Sequence, residues 1–119
     1  MNLRIDLDSV RLRLDVHDLD ELIRTKRLEA STQIVEGLSI SYIVKFAPLP
    51  EECIRNLLHL DGTRTQEGIV AILTVSPEGQ QILMIEPPTK EGLKDFKTLP
   101  DGSMLTIALE VDTKSQRTD

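Results

Sequence analysis

Residues 3–15, LRIDLDSVRLRLD, decide the fold that the sequence predicts. Apolar residues alternate with charged ones along this stretch, but the parity of the alternation changes between Leu7 and Val10. A single strand would place half of the apolar residues on the wrong face, whereas a two-residue turn at Asp8-Ser9 returns all of them to one face. The stretch therefore predicts a β-hairpin with Leu7 opposite Val10. The residues expected to be buried on its apolar face are Leu3, Ile5, Leu12 and Leu14.

The other face of this hairpin carries Arg4, Arg11 and Arg13. Guanidinium groups gathered on one face can hold a phosphate or a carboxylate, so these three are the candidate anion-binding residues. Asp6 and Asp15 are close enough in sequence to pair with them, with Asp6 opposite Arg11 in the predicted register. We therefore expect a solvated face held by the two acids, and anion binding is the alternative.

The chain after the hairpin predicts a helix and a second hairpin. Asp15 suits the N-cap, and Asp18 occupies the acidic position of a capping box. Apolar residues at helical spacing follow from Val16 to Ile23. The apolar period then returns to two on both sides of Glu36-Gly37, which predicts two strands joined by a turn.

The second half of the chain predicts one long helix, one short helix and three strands. Proline suits the first turn of a helix and glycine its end, so residues 50–62 are predicted as a helix. A turn is predicted at residues 76–79 and a short helix at residues 91–97. Strands are predicted where apolar residues run or alternate, at residues 68–75, 80–86 and 104–111.

The predicted hairpins outnumber the predicted helices. This order favours an α+β domain, a mostly antiparallel sheet with two or three helices packed on it. One domain is expected over residues 1–112. Residues 113–119 contain no apolar residue, so they are expected to form a disordered tail. No internal repeat is visible in the sequence.

Two segments carry a resemblance to a known family. Ser9 is followed by Arg11-Leu12-Arg13-Leu14, by the capped helix and by Leu28-Glu29, and residues 84–111 read MIEPPTKEGLKDFKTLPDGSMLTIALEV. This pattern resembles an uncharacterised family of small bacterial proteins, a domain of unknown function with an N-terminal Ser-x-Arg-Leu-Arg-Leu strand. The resemblance implies a small α+β fold and a bacterial protein, and it brings no catalytic residue with it.

Composition argues against several classes of partner. The net charge is −6 and aromatic residues make up 3% of the chain, so neither phosphate neutralisation nor base stacking is favoured. No nucleic-acid partner is therefore expected. No apolar run reaches the length of a membrane span, and the charged N-terminal residues are unlike a secretory signal. A cytoplasmic protein without membrane contact is expected.

Catalytic residues are hard to find in this chain. Cys53 and His59 lie six positions apart on one predicted helix. Six residues correspond to about 600° of rotation, so the two side chains point in different directions, which disfavours a nucleophile–base pair. Cys53 is therefore predicted to be structural. Neither a phosphate-binding glycine loop nor a metal-ligand spacing occurs, so no metal ion and no cofactor are expected.

Two classes of function remain. The first is a non-catalytic binding or protein-interaction domain, which binds an unknown protein partner or self-associates through a sheet edge or an apolar face. The alternative is a small-molecule anion-binding protein, or an enzyme, that uses Arg4, Arg11 and Arg13. The sequence favours the first, and catalysis is the less expected outcome.

Overall fold

A computed structural model describes residues 1–85 and 92–112. Within these ranges the chain forms eight strands, two α-helices and one 3₁₀ turn. The first half contains β1 (Asn2–Ile5), β2 (Ser9–Asp15), α1 (Val16–Thr25), β3 (Arg27–Val35) and β4 (Leu38–Phe46). The second half contains the 3₁₀ turn (Glu51–Cys53), β5 (Leu58–Thr65), β6 (Gly68–Val75), α2 (Pro77–Leu83), β7 (Leu93–Thr98) and β8 (Met104–Asp112).

The strands form two four-stranded sheets, in the orders β1-β2-β8-β7 and β3-β4-β6-β5. In each sheet two antiparallel hairpins lie side by side, and their inner strands, β2 with β8 and β4 with β6, run parallel. The predicted α+β class is confirmed. The single sheet is wrong, because the described residues form two sheets, whereas the mostly antiparallel pairing is confirmed: each sheet has two antiparallel pairs and one parallel pair.

The two halves of the chain repeat the same topology. Each half is a hairpin, a helix and a second hairpin, and exchanging the halves reproduces every strand pair. The first hairpin of each half pairs with the second hairpin of the other half, so neither half can complete a sheet alone. What the halves share is mainly the position of buried residues, which explains why no repeat is visible in the sequence.

The inner faces of both sheets contribute to one apolar core. Leu12 lies beside Leu109 and Leu14 beside Val111 in the parallel pair of the first sheet. The equivalent neighbours in the second sheet are Val44 with Leu73 and Phe46 with Val75. Helix residues also belong to this core, namely Leu19 and Leu22 of α1 and Leu83 of α2.

The first hairpin is confirmed, but its register differs from the prediction. Ile5 pairs with Val10 and Leu3 with Leu12, so four residues, 6–9, separate the paired residues instead of the predicted two, and both extra residues lie on the β1 side. Leu12 and Leu14 are buried as expected, whereas Leu3 is half-buried and Ile5 is exposed. The Asp8-Ser9 pair lacks the glycine that tight two-residue turns favour, and the longer turn avoids that strain.

The helix predicted over residues 50–62 is wrong. Only the 3₁₀ turn at Glu51–Cys53 forms there, directly after Pro50, and residues 58–65 form β5. Leu58 and Leu60 alternate with polar residues, and β5 pairs along its whole length with β6. A strand partner for the apolar β6 outweighs the local helix signals.

The turn predicted at residues 76–79 and the strand predicted at residues 80–86 are also wrong. Ser76 is the N-cap of α2, its Oγ accepts a hydrogen bond from Gly79 N at 3.0 Å, and Pro77 is the first helical residue. The short helix predicted at residues 91–97 is replaced by β7 from Leu93 onward. Residues 86–91 and the predicted tail, residues 113–119, lie outside the described residues.

Helix α1 is confirmed, together with its predicted cap. Asp15 Oδ1 accepts from Asp18 N at 2.7 Å, and Asp18 Oδ2 accepts from Asp15 N at 3.2 Å. Replacing Asp15 by alanine is expected to lower the free energy of unfolding by about 1 kcal/mol, because the Asp18 N–H in the first turn loses its acceptor. Urea denaturation measures the change. The matched control is Asp20→Ala on the exposed side of the same helix, and an equal loss in both variants would contradict the capping role.

Candidate functional site

All four hairpin turns lie at one end of the molecule, which we call the turn end. The two inner strands of each sheet are parallel and each begins at its own turn, so the two turns of a sheet share one end. Helices α1 and α2 follow the other ends of β2 and β6. Between the inner faces of the two sheets, toward the turn end, lies a cleft of about 270 Å³. Its apolar lining includes Leu3, Ile5, Ile40, Ile69, Leu99 and Leu105.

Several large aliphatic side chains are exposed at the turn end. Their exposed fractions range from 44% for Leu38 to 107% for Leu7. The set comprises Ile5, Leu7, Ile34, Val35, Leu38 and Ile69. Single exposed apolar residues are ordinary, whereas a contiguous group of them is a feature typical of interaction surfaces. The cleft volume lies near the lower limit of small-molecule pockets, about 300 Å³.

Strand β3 adjoins this end and forms one edge of its sheet. Its residues 31–35 are all exposed, and residues 30–35 (ASTQIV) contain no charge. An edge strand presents unpaired backbone groups that can pair with another strand, and charged residues normally discourage this. The outer half of β3 lacks that protection.

The other three edge strands are shorter or charged. β1 has four residues, β5 contains Asp61 and Arg64, and β7 contains Lys94, Asp95 and Lys97. β5 and β7 are also tied together: Lys97 Nζ donates to Leu60 O at 2.7 Å, and Asp95 Oδ2 accepts from Leu58 N at 3.3 Å. Among the four edges, β3 is therefore the one open to a further strand.

The arginine face is arranged differently from the prediction. Arg4 lies directly opposite Arg11, so Asp6 does not face Arg11. Asp6 Oδ2 lies 3.6 Å from Arg4 Nε, whereas Asp15 caps α1. Within the described residues, no carboxylate oxygen lies within 4.0 Å of the Arg11 or Arg13 guanidinium. Among the described residues, Asp6 therefore pairs with Arg4, and Asp15 serves the helix instead of an arginine.

The strand register adds a fourth cation to this face. Ala108 lies beside Arg11, and Lys94 lies opposite Ala108, so Arg4, Arg11 and Lys94 fall in one row across the first sheet. We call these three residues the basic row. Like charges directly opposite each other are unfavourable, and an anion above the row would relieve that repulsion. Lys94 also lies over the ring of Phe96, 5.9 Å from its centre.

Cys53 and His59 are in contact, contrary to the sequence prediction. Cys53 Sγ lies 3.4 Å from His59 Nδ1, because the two residues lie on a 3₁₀ turn and a strand rather than on one helix. Burial raises the pKa of the Cys53 thiol, and Glu52 and Asp95 raise it further, while Lys97 lowers it. A nucleophilic cysteine reacts as the thiolate, and a raised pKa disfavours that form.

Alkylation of Cys53 tests this assignment. The thiol of the folded protein is expected to react with iodoacetamide at pH 7.5 more slowly than the same thiol in urea, because its raised pKa and burial reduce the accessible thiolate. Mass spectrometry follows the reaction. The His59→Ala variant is expected to react no more slowly than the wild type. Faster reaction in the folded state, lost in His59→Ala, would identify an activated pair instead.

The described residues contain no group of three histidine, cysteine, aspartate or glutamate side chains that could hold a metal ion. In the same part of the chain, no helix has the length and apolar character needed to cross a membrane. Comparisons with known protein families, with curated proteins and with solved structures find no match for this chain.

Sequence reasoning identified the arginines by residue type but missed the turn end and the open edge. The turn-end residues come from separate hairpins, and only the stacking of two sheets brings them together. The sequence does contain a signal for the open edge, because residues 30–35 combine strand-forming residues with no charge.

Proposed function

We propose that this protein is a non-catalytic protein-interaction domain, which binds a partner protein through its turn end and the adjoining edge strand β3. The observation that carries the proposal is the group of exposed aliphatic side chains around the apolar cleft. Apolar surface left in water is unfavourable by about 25 cal/mol per Å², and a partner that covers it recovers this free energy. The raised pKa of the Cys53 thiol disfavours the nucleophilic thiolate and so supports a function without catalysis.

Two further expectations belong to this proposal. The chain is a member of the bacterial family that its N-terminal pattern resembles, since that Ser-x-Arg-Leu-Arg-Leu pattern forms β2 and the capped helix follows it. The protein acts in the cytoplasm, which is supported by its acidic charge and its single, unpaired cysteine.

Site-specific photo-crosslinking tests the interaction surface. A photoreactive amino acid replaces Ile69, which is 51% exposed at the turn end, or Phe96, which is 50% exposed on the outer face of the first sheet. In living cells, irradiation is expected to attach a protein of defined mass at position 69 and none at position 96. Absence of any adduct at position 69, or the same adducts at both positions, would contradict the proposal.

A second candidate function is the binding of a small phosphate or carboxylate anion by Arg4, Arg11 and Arg13. The observation that favours it is the basic row, in a protein whose net charge is −6. Phosphate is then expected to raise the melting temperature above that in chloride of equal ionic strength, since ligand at 100 times its Kd adds about 2.7 kcal/mol. Arg11→Ala should abolish the rise. Equal melting temperatures in both salts would remove this candidate.

A further inference from the structure

We propose that the partner is a second copy of this chain, and that the two copies join by antiparallel pairing of β3 with β3 about a two-fold axis at Ser31. The pairing rests on the proposed function and specifies its partner. A two-fold contact uses the same surface on both copies, so each feature of the strand must be compatible with its own inverted image. β3 meets this condition in the placement of its charges, in the regularity of its backbone and in its exposed apolar residues.

The uncharged half of β3 suits contact between two acidic molecules. Each copy carries a net charge of −6, so two copies repel each other as they approach. An interface between them must therefore not place further like charges close to each other. Residues 30–35 contain none, whereas β5 and β7 carry several and are tied to each other.

The charges that flank this neutral segment are complementary to their own inverted image. Lys26, the residue before β3, is basic, and the turn that follows β3 is acidic, with Glu36, whereas Arg27 is already paired with Glu29 of the same strand at 3.3 Å. Antiparallel pairing brings the basic end of each strand to the acidic end of the other. With the axis at Ser31, Lys26 of one copy reaches the level of Glu36 of the second copy.

The backbone of β3 is regular where this pairing requires it. β3 pairs without a shift against β4 from Arg27 to Gln33, and the register changes only between Gln33 and Val35. Five regular residues, 29–33, therefore face their own image. Glu29 lies opposite Gln33 and Ala30 opposite Thr32, so no two like charges meet.

The pairing also covers apolar residues of the turn end. Ile34 and Val35 are 54% and 57% exposed. In the antiparallel arrangement Ile34 reaches the level of Leu28 of the second copy, where helix α1 of that copy ends and β3 begins. Ile34 of each chain is thereby partly removed from water.

A single cysteine at the axis tests this geometry directly. Residues opposite each other in an antiparallel pair have Cα atoms about 4.5–5.5 Å apart, within the disulfide range of about 4.4–6.8 Å. The Ser31→Cys variant, made in a Cys53→Ala background, is expected to form a disulfide-linked dimer with oxidised glutathione. The matched control is Thr63→Cys in the same background. Ser31 and Thr63 share one row of the sheet, on opposite edges, so Thr63→Cys should remain uncrosslinked.

Sedimentation of the unmodified full chain gives the second measurement. Its mass at micromolar concentration is expected to be about twice 13.4 kDa. Ser31→Lys should raise the dimer dissociation constant at least tenfold, because two ammonium groups then meet at the axis, while Thr63→Lys should leave it unchanged.

The outcomes separate this inference from the proposed function. A monomeric wild type without crosslinking at Ser31→Cys, or equal crosslinking at Thr63→Cys, overturns the second-copy inference. If photo-crosslinking at position 69 then still attaches a different protein, the interaction function stands and only its partner is wrong. If position 69 attaches nothing either, both proposals fail.

Discussion

Replacing Leu12 by alanine is expected to lower the free energy of unfolding by about 2–5 kcal/mol, the usual cost of removing a large aliphatic side chain from a core. Leu12 is 4% exposed and belongs to the apolar core that both sheets share. It lies between Leu3 on one neighbouring strand and Leu109 on the other, so truncation leaves a cavity that adjoining strands can fill only by moving. Urea denaturation of the wild type and the variant measures the difference.

Leu7→Ala is the matched control in the same hairpin. Leu7 is fully exposed in the turn between β1 and β2, so its truncation is expected to change the free energy of unfolding by less than about 0.5 kcal/mol. Equal losses in the two variants would show that Leu7 reaches the core. The hairpin would then turn at Asp8-Ser9, in the register that the sequence alone predicts.

The existence of this hairpin could be predicted, but its register could not. The change in parity between Leu7 and Val10 fixes which residues share a face, and a register shifted by two residues on the β1 side preserves that parity. Turn chemistry normally decides between such registers, and residues 6–9 contain no glycine to favour the tight turn. The choice then depends on β2, whose pairing with β8 runs from Ser9 to Asp15.

Local signals failed where long-range pairing decides the structure. Pro50 and the two glutamates after it do begin a 3₁₀ turn, but the chain leaves it at Cys53 because the apolar β6 needs a partner strand on its free side. Ser76-Pro77 predicts a turn from sequence but begins α2 in the structure. Serine followed by proline begins helices as well as turns, and only the observed cap distinguishes them.

For the candidate sites too, the sequence predicts which residue types are present but not how they are arranged. Arg4, Arg11 and Arg13 were identifiable by type, but their pairing with Asp6 and Asp15 depended on a register that the fold does not adopt. Lys94 joins the row only through the parallel pairing of β2 with β8, which no local pattern predicts. Parallel pairing between strands from opposite ends of a chain has no short-range signal.

Gly68→Ala is expected to be as damaging as a core truncation, although Gly68 lies beside a turn. Gly68 has φ +147°, which L-residues rarely adopt, and a Cβ there would overlap the carbonyl oxygen of Ser39. Backbone strain of this kind costs about 1–3 kcal/mol. Forcing an atom into a filled space adds about 1–3 kcal/mol more. Urea denaturation measures the total loss, and hydrogen exchange at the Ser39 amide, which donates to Glu67 O at 2.6 Å, localises it.

Gly102→Ala separates the two causes, because Gly102 also has a positive φ, +87°, but a Cβ there meets nothing within 4 Å. Its loss is expected to be limited to backbone strain, about 1–3 kcal/mol, and smaller than that of Gly68→Ala. Ser39 and Gly68 form the first pair of the parallel strands β4 and β6, beside Ile69 of the cleft. Separating that pair should therefore speed hydrogen exchange first at the turn end. Exchange at the opposite end of the sheets, where α1 and α2 lie, should change later. Equal losses in both variants, with exchange at Ser39 unchanged, would show that β4 and β6 do not approach closely at the turn end.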